Sequence, residues 1–273
     1  MVNSKTVVLQ LIEIIEMNIG NNLSIDKLSE LSGYSKWHFQ RLFQNYVQMN
    51  VGSYIRHRRL SKAAILLKQY NYTVSELAKM LGFSSPQSFT RSFQHLLGES
   101  PHKFRMNTVW DFSKQLPPFM ERYTLTYDYI SLPHDSDTVN SYVFFLYQSL
   151  DKERLRRIHS RTHELISLQR VCEKTCQHEP FTQKIMGKAI ECFSRVSDFY
   201  FPYGHYILIS FHGALDEFYD FFKNLYEIHL PRVGVKVNSG FIIELYRESS
   251  CSTNDFDIGI LISIENETGI TSQ

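Results

Sequence analysis

The chain lacks a long apolar run and any surplus of charge of one sign. No stretch approaches the roughly 18 apolar residues that a helix needs to span a bilayer. The apolar segment Val7–Ile15 is interrupted by Gln10 and Glu13, so it does not resemble the core of a signal peptide. The 273 residues carry a net charge of only +1, which indicates no particular partner. We therefore expect a cytoplasmic protein with room for two domains.

Cysteine is scarce, and it is confined to the second half of the chain at Cys172, Cys176, Cys192 and Cys251. Without a secretion signal, free thiols are favoured over disulfides. The first three, with His178, could supply zinc ligands or a redox sensor. A Cys-x3-Cys spacing on a predicted helix is weak evidence for either role, and ordinary helix-surface residues are the favoured interpretation. We expect no metal and no cofactor.

The near-neutral total hides two halves of opposite charge. Residues 1–107 contain 13 Lys and Arg against 6 Asp and Glu, a net charge of +7. Residues 108–273 contain 16 Lys and Arg against 22 Asp and Glu, a net charge of −6. This asymmetry indicates nucleic-acid binding by the first half. The acidic half could also dock on the basic one and compete with DNA.

The first hundred residues carry the signals of short, capped helices. Ser24 and Ser35 can each cap a helix through the side-chain oxygen. Thr73–Glu76 matches the capping-box pattern. Ser85 can cap a further helix whose first residue is Pro86, a position that proline favours. These signals predict an all-α domain.

An internal repeat groups these helices into two similar units joined by a long helix over 51–69. The first unit is LSIDKLSELSGYSKWHFQRLF (23–43), and the second is YTVSELAKMLGFSSPQSFTRSF (72–93). The apolar and glycine positions align at an offset of 49 before the turn and of 50 after it. Each unit reads as helix, glycine-containing turn, helix, which is the signature of a helix-turn-helix.

The second helix of each unit carries polar side chains at matching positions. With Ser35 and Ser85 as caps, the spacing i, i+3, i+4, i+7 places them on one helix face, with phenylalanines opposite. Arg can bind guanine bidentately, Gln can bind adenine, and Thr can contact the methyl group of thymine. The predicted base-reading residues are Trp37, Gln40 and Arg41 in the first unit and Gln87, Thr90 and Arg91 in the second.

A basic cluster on the connecting helix comprises Arg56, Arg58, Arg59 and Lys62, with His57 among them. Contact with DNA phosphates is the functional interpretation, and a solvated charged face is the alternative. The position of the cluster between two matched helix-turn-helix units favours phosphate contact.

The stretches GYSKWHFQRLF, YIRHRRLSKAA and LGFSSPQSFTRSFQHLLGESPHKFR resemble the DNA-binding domain of the AraC/XylS family, in the branch of MarA, SoxS and Rob. The resemblance implies a DNA-binding domain over 1–107 that binds double-stranded promoter DNA as a monomer through both units. It also implies activation of stress or drug-resistance genes, with RNA polymerase as a partner. The six base-reading residues correspond to major-groove readers of that branch. Pro86 departs from the pattern, because the branch usually has glutamine there, so the second helix is expected to contact bases less or differently.

The second half has a different sequence pattern. This pattern predicts an α+β domain over 120–267, after a linker over 108–119. Strand candidates are 121–132, 140–148, 185–193, 205–212, 241–247 and 256–264. Helix candidates are 151–171 and 215–229. The linker is similar to that of Rob. The stretch GHYILISFHGALDEFYDFFKNLYEIHLPRVGVKVNSGFIIELY resembles the GyrI-like effector-binding domain.

That second resemblance implies a pocket for a small amphipathic or cationic effector. It places Glu244 in the pocket, and Tyr246 and Tyr206 are candidate aromatic liners. The alternatives are a surface glutamate on an edge strand and ordinary core aromatics. At the level of function, a protein-interaction or sequestration module and a hydrolase using Glu244 with Tyr246 are also open. The chain shows no convincing pair of nucleophile and base, so we expect no enzyme.

Overall fold

A computed structural model of the chain describes residues 4–21, 23–120, 124–132, 164–170, 204–248 and 255–265. The chain divides into two compact units, which are larger than the two helix-turn-helix units of the repeat and distinct from them. The first comprises Met1–Asn107, Ser113–Tyr123 and Tyr226–Gly234. The second comprises Thr108–Phe112, Thr124–Leu225 and Val235–Gln273.

The basic half of the chain forms helices with the predicted caps. They are α1 (Ser4–Met17), α2 (Ile25–Ser32), α3 (Lys36–Val47), α4 (Val51–Gln69), α5 (Val74–Met80), α6 (Pro86–Leu97) and α7 (Pro101–Met106). The side chains of Ser24, Ser35 and Ser85 accept hydrogen bonds from backbone N–H groups of the first turns of α2, α3 and α6. Thr73 and Glu76 form the predicted capping box of α5. The all-α prediction for this half is confirmed.

The two repeats adopt the same local structure. Gly33 and Gly82 both have a φ of 69°, a left-handed conformation that favours glycine at the turn between the helices. The paired phenylalanines of α3 and α6 are all 0% exposed, at Phe39, Phe43, Phe89 and Phe93. Each unit therefore fixes its second helix by burying the face opposite the polar one.

The described residues of the second unit form an antiparallel sheet with a helix packed on it. Its strands are β1 (Val109–Asp111), β2 (Thr126–Leu132), β3 (Glu164–Arg170), β4 (Gly204–Ala214), β5 (Lys236–Glu248) and β6 (Asp255–Ile264). The order is β1-β5-β6-β4-β2, and β3 also pairs with β5. Helix α8 (Leu215–Lys223) follows β4, and Phe218 and Phe221 pack on Phe211 of that strand at 5.3 and 5.1 Å between ring centroids.

A short stretch from the acidic half belongs to the first unit. Tyr226–Gly234 includes most of a π-helical turn, Leu225–His229, and the short helix α9 (Leu230–Val233). The guanidinium of Arg232 donates a hydrogen bond to the carbonyl of Pro118 at 2.9 Å. The first unit is thus assembled from three separate stretches of sequence.

The structure corrects two predictions for the acidic half. Residues 164–170, predicted as the end of a helix over 151–171, form strand β3, because pairing with β5 outweighs their helical pattern. Within the predicted linker, Val109–Asp111 form strand β1, which also pairs with β5. The strand candidates 140–148 and 185–193 lie outside the described residues, as does 151–163. Across the part of the chain that is described, no helix is long and apolar enough to cross a membrane.

Candidate nucleic-acid interface

Helix α3 presents one polar face to solvent. Ser35 caps it, so Trp37, Gln40 and Arg41 occupy the second, fifth and sixth helical positions. Gln40 and Arg41 are exposed, and Trp37 is 66% exposed. A tryptophan of the core would be buried, as the two phenylalanines on the opposite face of α3 are. The exposure of Trp37 therefore argues against a core role. It agrees with the predicted position of Trp37 on the polar face of α3, opposite the phenylalanines.

Trp37 and Arg41 contact each other on this face. The guanidinium carbon of Arg41 lies 5.3 Å from the ring centroid of Trp37, which is within the range of a cation–π interaction. This contact restricts the rotamers of a long side chain before it meets a ligand. A guanidinium held in this way is suited to bidentate recognition of guanine.

Helix α6 repeats the arrangement with one difference. Pro86 occupies the first helical position, so Gln87, Thr90 and Arg91 again occupy the second, fifth and sixth. Gln87 and Arg91 are exposed, and Thr90 is half-buried. The proline fits the helix start because its missing N–H needs no partner there. It also leaves that position without a polar side chain.

Arg58 does not lie where the predicted phosphate contact requires it. Its side chain is 1% exposed. Its Nε and Nη2 donate to the two carboxylate oxygens of Glu16 at 2.8 and 2.9 Å. Nη2 also donates to Glu227 at 2.8 Å, and Nη1 donates to the carbonyl of Leu116 at 2.7 Å. The phosphate role predicted for Arg58 is wrong, because its donors are engaged by Glu16, Glu227 and the carbonyl of Leu116.

The Arg58 cluster extends to a buried tyrosine. The hydroxyl of Tyr54 donates to Glu16 at 2.6 Å and accepts from the backbone N–H of Phe119 at 3.1 Å. Burial and the charge of Glu16 raise the pKa of Tyr54. Burial by itself lowers the pKa of Arg58, but the hydrogen bonds and charge of Glu16, with the charge of Glu227, outweigh burial and raise it. The guanidinium therefore stays charged in the interior.

Arg59 also serves the fold. Its guanidinium is half-buried and donates to three backbone carbonyls, those of Ile19 at 2.7 Å, Asn21 at 2.6 Å and Gly82 at 3.2 Å. Burial lowers its pKa. The phosphate contact predicted for Arg59 is therefore replaced by a structural one.

The rest of the basic cluster keeps the predicted orientation only in part. Arg56 is exposed, and Lys62 is half-buried. His57 is half-buried, with its Nε2 at 3.4 Å from the carbonyl oxygen of Lys114, and burial lowers its pKa. Among the four predicted phosphate contacts, Arg56 has the most accessible charge.

Sequence periodicity contained a signal for the role of Arg58. It lies four residues after Tyr54 and three before Ser61, and all three face the interior. A charged residue in register with apolar positions of a helix is a candidate for a buried ion pair. Its partners, 42 and 169 residues away, carried no signal of their own.

Tyr206 is separated from the other two predicted effector-binding residues. It is 3% exposed, and it pairs with Ser263 of β6. Glu244 pairs with Ile260 and Tyr246 with Ile258. Neighbouring residues of a strand alternate between the two faces of a sheet, so Tyr206 lies on the opposite face from Glu244 and Tyr246. The prediction that the three line one pocket is wrong. Burial raises the pKa of Tyr206.

The face that contains the positions of Glu244 and Tyr246 is largely apolar. Its register partners on β6, Ile258 and Ile260, are 1% and 0% exposed. Phe211 of β4 pairs with Ile258 and so shares this face. Strand β5 pairs with β6 on one side and with β3 on the other, so Glu244 is not on an edge strand.

The described residues contain no group of His, Cys, Asp and Glu side chains that could hold a metal ion. The candidate ligands Cys172, Cys176, His178 and Cys192 lie outside the described residues.

The match to a known family falls on the helical part of the chain. The family described as "Helix-turn-helix domain" matches residues 28–107. The multiple antibiotic resistance protein MarA of Escherichia coli strain K12 is 42% identical over 104 residues, which cover 38% of this chain and 82% of MarA. The HTH-type transcriptional activator AarP of Providencia stuartii is 44% identical over 93 residues, which cover 34% of this chain and 69% of AarP.

Two further proteins resemble this chain, and the share of their own length that is covered differs between them. The Escherichia coli protein YkgA is 41% identical over 113 residues, 41% of this chain, and the chain spans only 47% of the length of YkgA. The solved structure of a transcriptional regulator from Chromobacterium violaceum, of the type with an AraC-type DNA-binding domain, superimposes with a TM-score of 0.36 and 26% identity. That superposition covers 38% of this chain and 92% of the other.

Proposed function

Because the chain belongs to the AraC/XylS family of transcription regulators, with MarA among its relatives, we propose that one chain binds promoter DNA through both α3 and α6. The two helices would enter successive major grooves, about 34 Å apart along the duplex. The supporting observation is the equivalence of the two polar faces, which occupy the same helical positions opposite fully buried phenylalanines. The DNA-binding domain would span 1–107, completed by Ser113–Tyr123 and Tyr226–Gly234.

The two helices are proposed to contribute unequally. Trp37, Gln40 and Arg41 would read bases in one groove, and the contact between Trp37 and Arg41 would orient the guanidinium for guanine. Gln87, Thr90 and Arg91 would bind the other groove, with Pro86 in place of a polar side chain at the start of the helix. The first helix would then carry most of the base specificity, and the second would contribute more to affinity and position.

The proposed outcome of DNA binding is activation of stress or drug-resistance genes, with RNA polymerase as the protein partner. AarP is named as a transcriptional activator and MarA as a multiple antibiotic resistance protein. Regulation by binding, without catalysis, is the role that these relatives support. Transcription in vitro from a promoter that contains the selected site should rise with the protein present, and an unchanged or reduced transcript level would contradict activation.

Arg56→Ala is expected to weaken binding to all DNA sequences by a similar factor. Arg56 is exposed on α4, where it would contact a phosphate rather than a base. Loss of one phosphate contact should reduce the slope of log affinity against log salt by about 1. Fluorescence anisotropy at several salt concentrations measures both effects. Lys103→Ala, which removes an exposed charge from α7, is the control, and an unchanged slope in Arg56→Ala would contradict the phosphate role.

For the second unit we propose a GyrI-like domain over 120–267 that binds a small amphipathic or cationic effector. The sequence resemblance supports this proposal. It is also supported by the position of Glu244 on an interior strand, on the same face as buried isoleucines. A carboxylate at this register position would favour a cationic group that brings its own apolar surface. Tyr246 and Phe211 share this face, and Tyr206 is excluded from the proposed site by its register.

A cationic amphipathic compound that binds this site should raise the melting temperature of the full chain. The shift should be lost in Glu244→Ala and kept in Asp128→Ala, which removes an exposed acid from strand β2 on the opposite face of the sheet. Differential scanning fluorimetry with a broad set of such compounds measures the shift. No stabilisation by any of them would contradict the effector site and favour a protein-interaction or sequestration module.

A further inference from the structure

The turn between α1 and α2, which leads into the first helix-turn-helix, packs closely against the backbone of the second helix-turn-helix at Met80 and Gly82. Arg59, near the middle of α4, donates to the carbonyls of Ile19 and Asn21, which lie in the turn between α1 and α2. The same guanidinium donates to the carbonyl of Gly82, in the turn between α5 and α6 of the second unit. One side chain therefore bonds to both segments, and each of these hydrogen bonds is strengthened by the charge of the guanidinium.

Glycine permits this close approach. A Cβ atom on Gly20 would overlap the carbonyl oxygen of Met80. A Cβ atom on Gly82 would lie 2.9 Å from the carbonyl oxygen of Gly20 and 3.2 Å from the guanidinium carbon of Arg59. Side-chain carbons do not approach backbone oxygens at such distances, so neither position accepts another residue without movement of one unit relative to the other.

The first helix-turn-helix shows that the turn of such a motif does not itself need this packing. Gly33 is the repeat equivalent of Gly82 and has the same φ of 69°. A Cβ atom on Gly33 would have nothing within 4 Å. The crowding at Gly82 is therefore a property of the contact between the two units and not of the turn.

We propose that Arg59, Gly20 and Gly82 form a joint that sets the distance and rotation between α3 and α6, and so limits the protein to operators with one spacing between the two half-sites. The proposal rests on the proposed binding of both helices by one chain. One added base pair moves the second half-site by about 3.4 Å and turns it by about 35° around the duplex axis. A rigid joint cannot follow that displacement, whereas a loosened one can follow part of it.

The test measures the affinity of the full chain for a selected operator and for derivatives with one or two base pairs inserted or deleted between the half-sites. The wild-type protein should lose about tenfold in affinity for each base pair, similar to the loss of one good base contact. The Arg59→Gln protein should lose less than about threefold in affinity for each base pair, since its two helix-turn-helix units can move relative to each other. Arg56→Gln, which removes an exposed charge from the same helix, should bind less tightly at every spacing and keep the wild-type profile.

A second pair of variants keeps the test decisive where Arg59→Gln fails to fold. Gly82→Ala and Gly33→Ala impose the same backbone strain on equivalent turns, but only the first inserts a methyl group between the units. Gly82→Ala should flatten the spacing profile or shift its optimum, and Gly33→Ala should change only the melting temperature. Wild-type profiles in both Arg59→Gln and Gly82→Ala would overturn the joint.

Scrambling the second half-site separates this proposal from the binding mode on which it rests. If scrambling leaves the affinity of the wild-type protein unchanged, binding by both helices is wrong, and the joint falls with it. If scrambling reduces the affinity but the wild-type protein binds all spacings equally, the binding mode stands and the joint alone is wrong.

Discussion

Glu16→Ala is expected to lower the free energy of unfolding of the first unit by about 3 kcal/mol, near the lower end of the cost of breaking a buried ion pair. Arg58 is 1% exposed, and Glu16 accepts two of its hydrogen bonds and that of the Tyr54 hydroxyl. Alanine leaves the guanidinium charge in the interior with Glu227 as its remaining carboxylate partner among the described residues. Chemical denaturation followed by circular dichroism measures the change.

Glu13→Ala is the matched control for this prediction. Glu13 lies on the same helix, one turn earlier, and is exposed, so its removal should change the stability by less than about 0.5 kcal/mol. The double variant Glu16→Leu with Arg58→Met should be more stable than Glu16→Ala, because it removes the unpaired charge as well. Equal stability of Glu16→Ala and Glu13→Ala would show that the ion pair does not hold the fold.

Arg41→Ala is expected to lower the affinity for a selected operator by about 1–3 kcal/mol and to relax the base preference at one position. Arg41 is exposed on the polar face of α3, and its guanidinium carbon lies 5.3 Å from the ring centroid of Trp37, a contact that restricts the side chain before DNA binds. Selection from a randomised DNA pool, followed by affinity measurements on single-base variants, gives both quantities. Arg56→Ala removes the same charge without a base contact, and it should leave the selected sequence unchanged.

The corresponding change in the second helix-turn-helix, Arg91→Ala, should have a smaller effect on base preference. Pro86 removes a polar side chain from the start of α6, so we expect fewer base contacts from that helix. Selection with Arg41→Ala that returns the wild-type consensus, with an equal loss of affinity on every sequence, would contradict the base-reading role of Arg41.

The fold of the basic half was predictable because its signals are local. Caps such as Ser35 and Ser85 act within one helical turn, and the glycine turns require a left-handed backbone that the sequence marks directly. The spacing of polar residues then follows from the helix starts. These positions therefore agree with the structure residue by residue.

The roles of Arg58 and Arg59 were not predictable from the charge pattern. A cluster of basic residues looks the same in sequence whether its members face DNA, a carboxylate or a carbonyl. Glu227 is 169 residues from Arg58, and the carbonyls bound by Arg59 belong to residues of no distinctive chemistry. Tertiary contacts thus convert two predicted phosphate ligands into structural residues.

In the acidic half, strand pairing determines the secondary structure and the sheet face of residues for which the local sequence pattern is not sufficient. Residues 164–170 carry helix-forming side chains and are paired with β5 as strand β3. The opposite placement of Tyr206 and Glu244 depends on the register between β4, β6 and β5, which alternation within a single strand does not give. Both errors arise from contacts between segments far apart in the sequence.

Protection of guanine N7 atoms from methylation tests binding by both helices most directly, because these atoms lie in the major groove. The measurement uses the selected operator in a complex purified at one chain per duplex. Binding through α3 and α6 predicts two protected clusters on one face of the DNA, separated by about one helical turn of 10 base pairs. A single protected cluster, or two clusters that form only when a second chain binds, would contradict it.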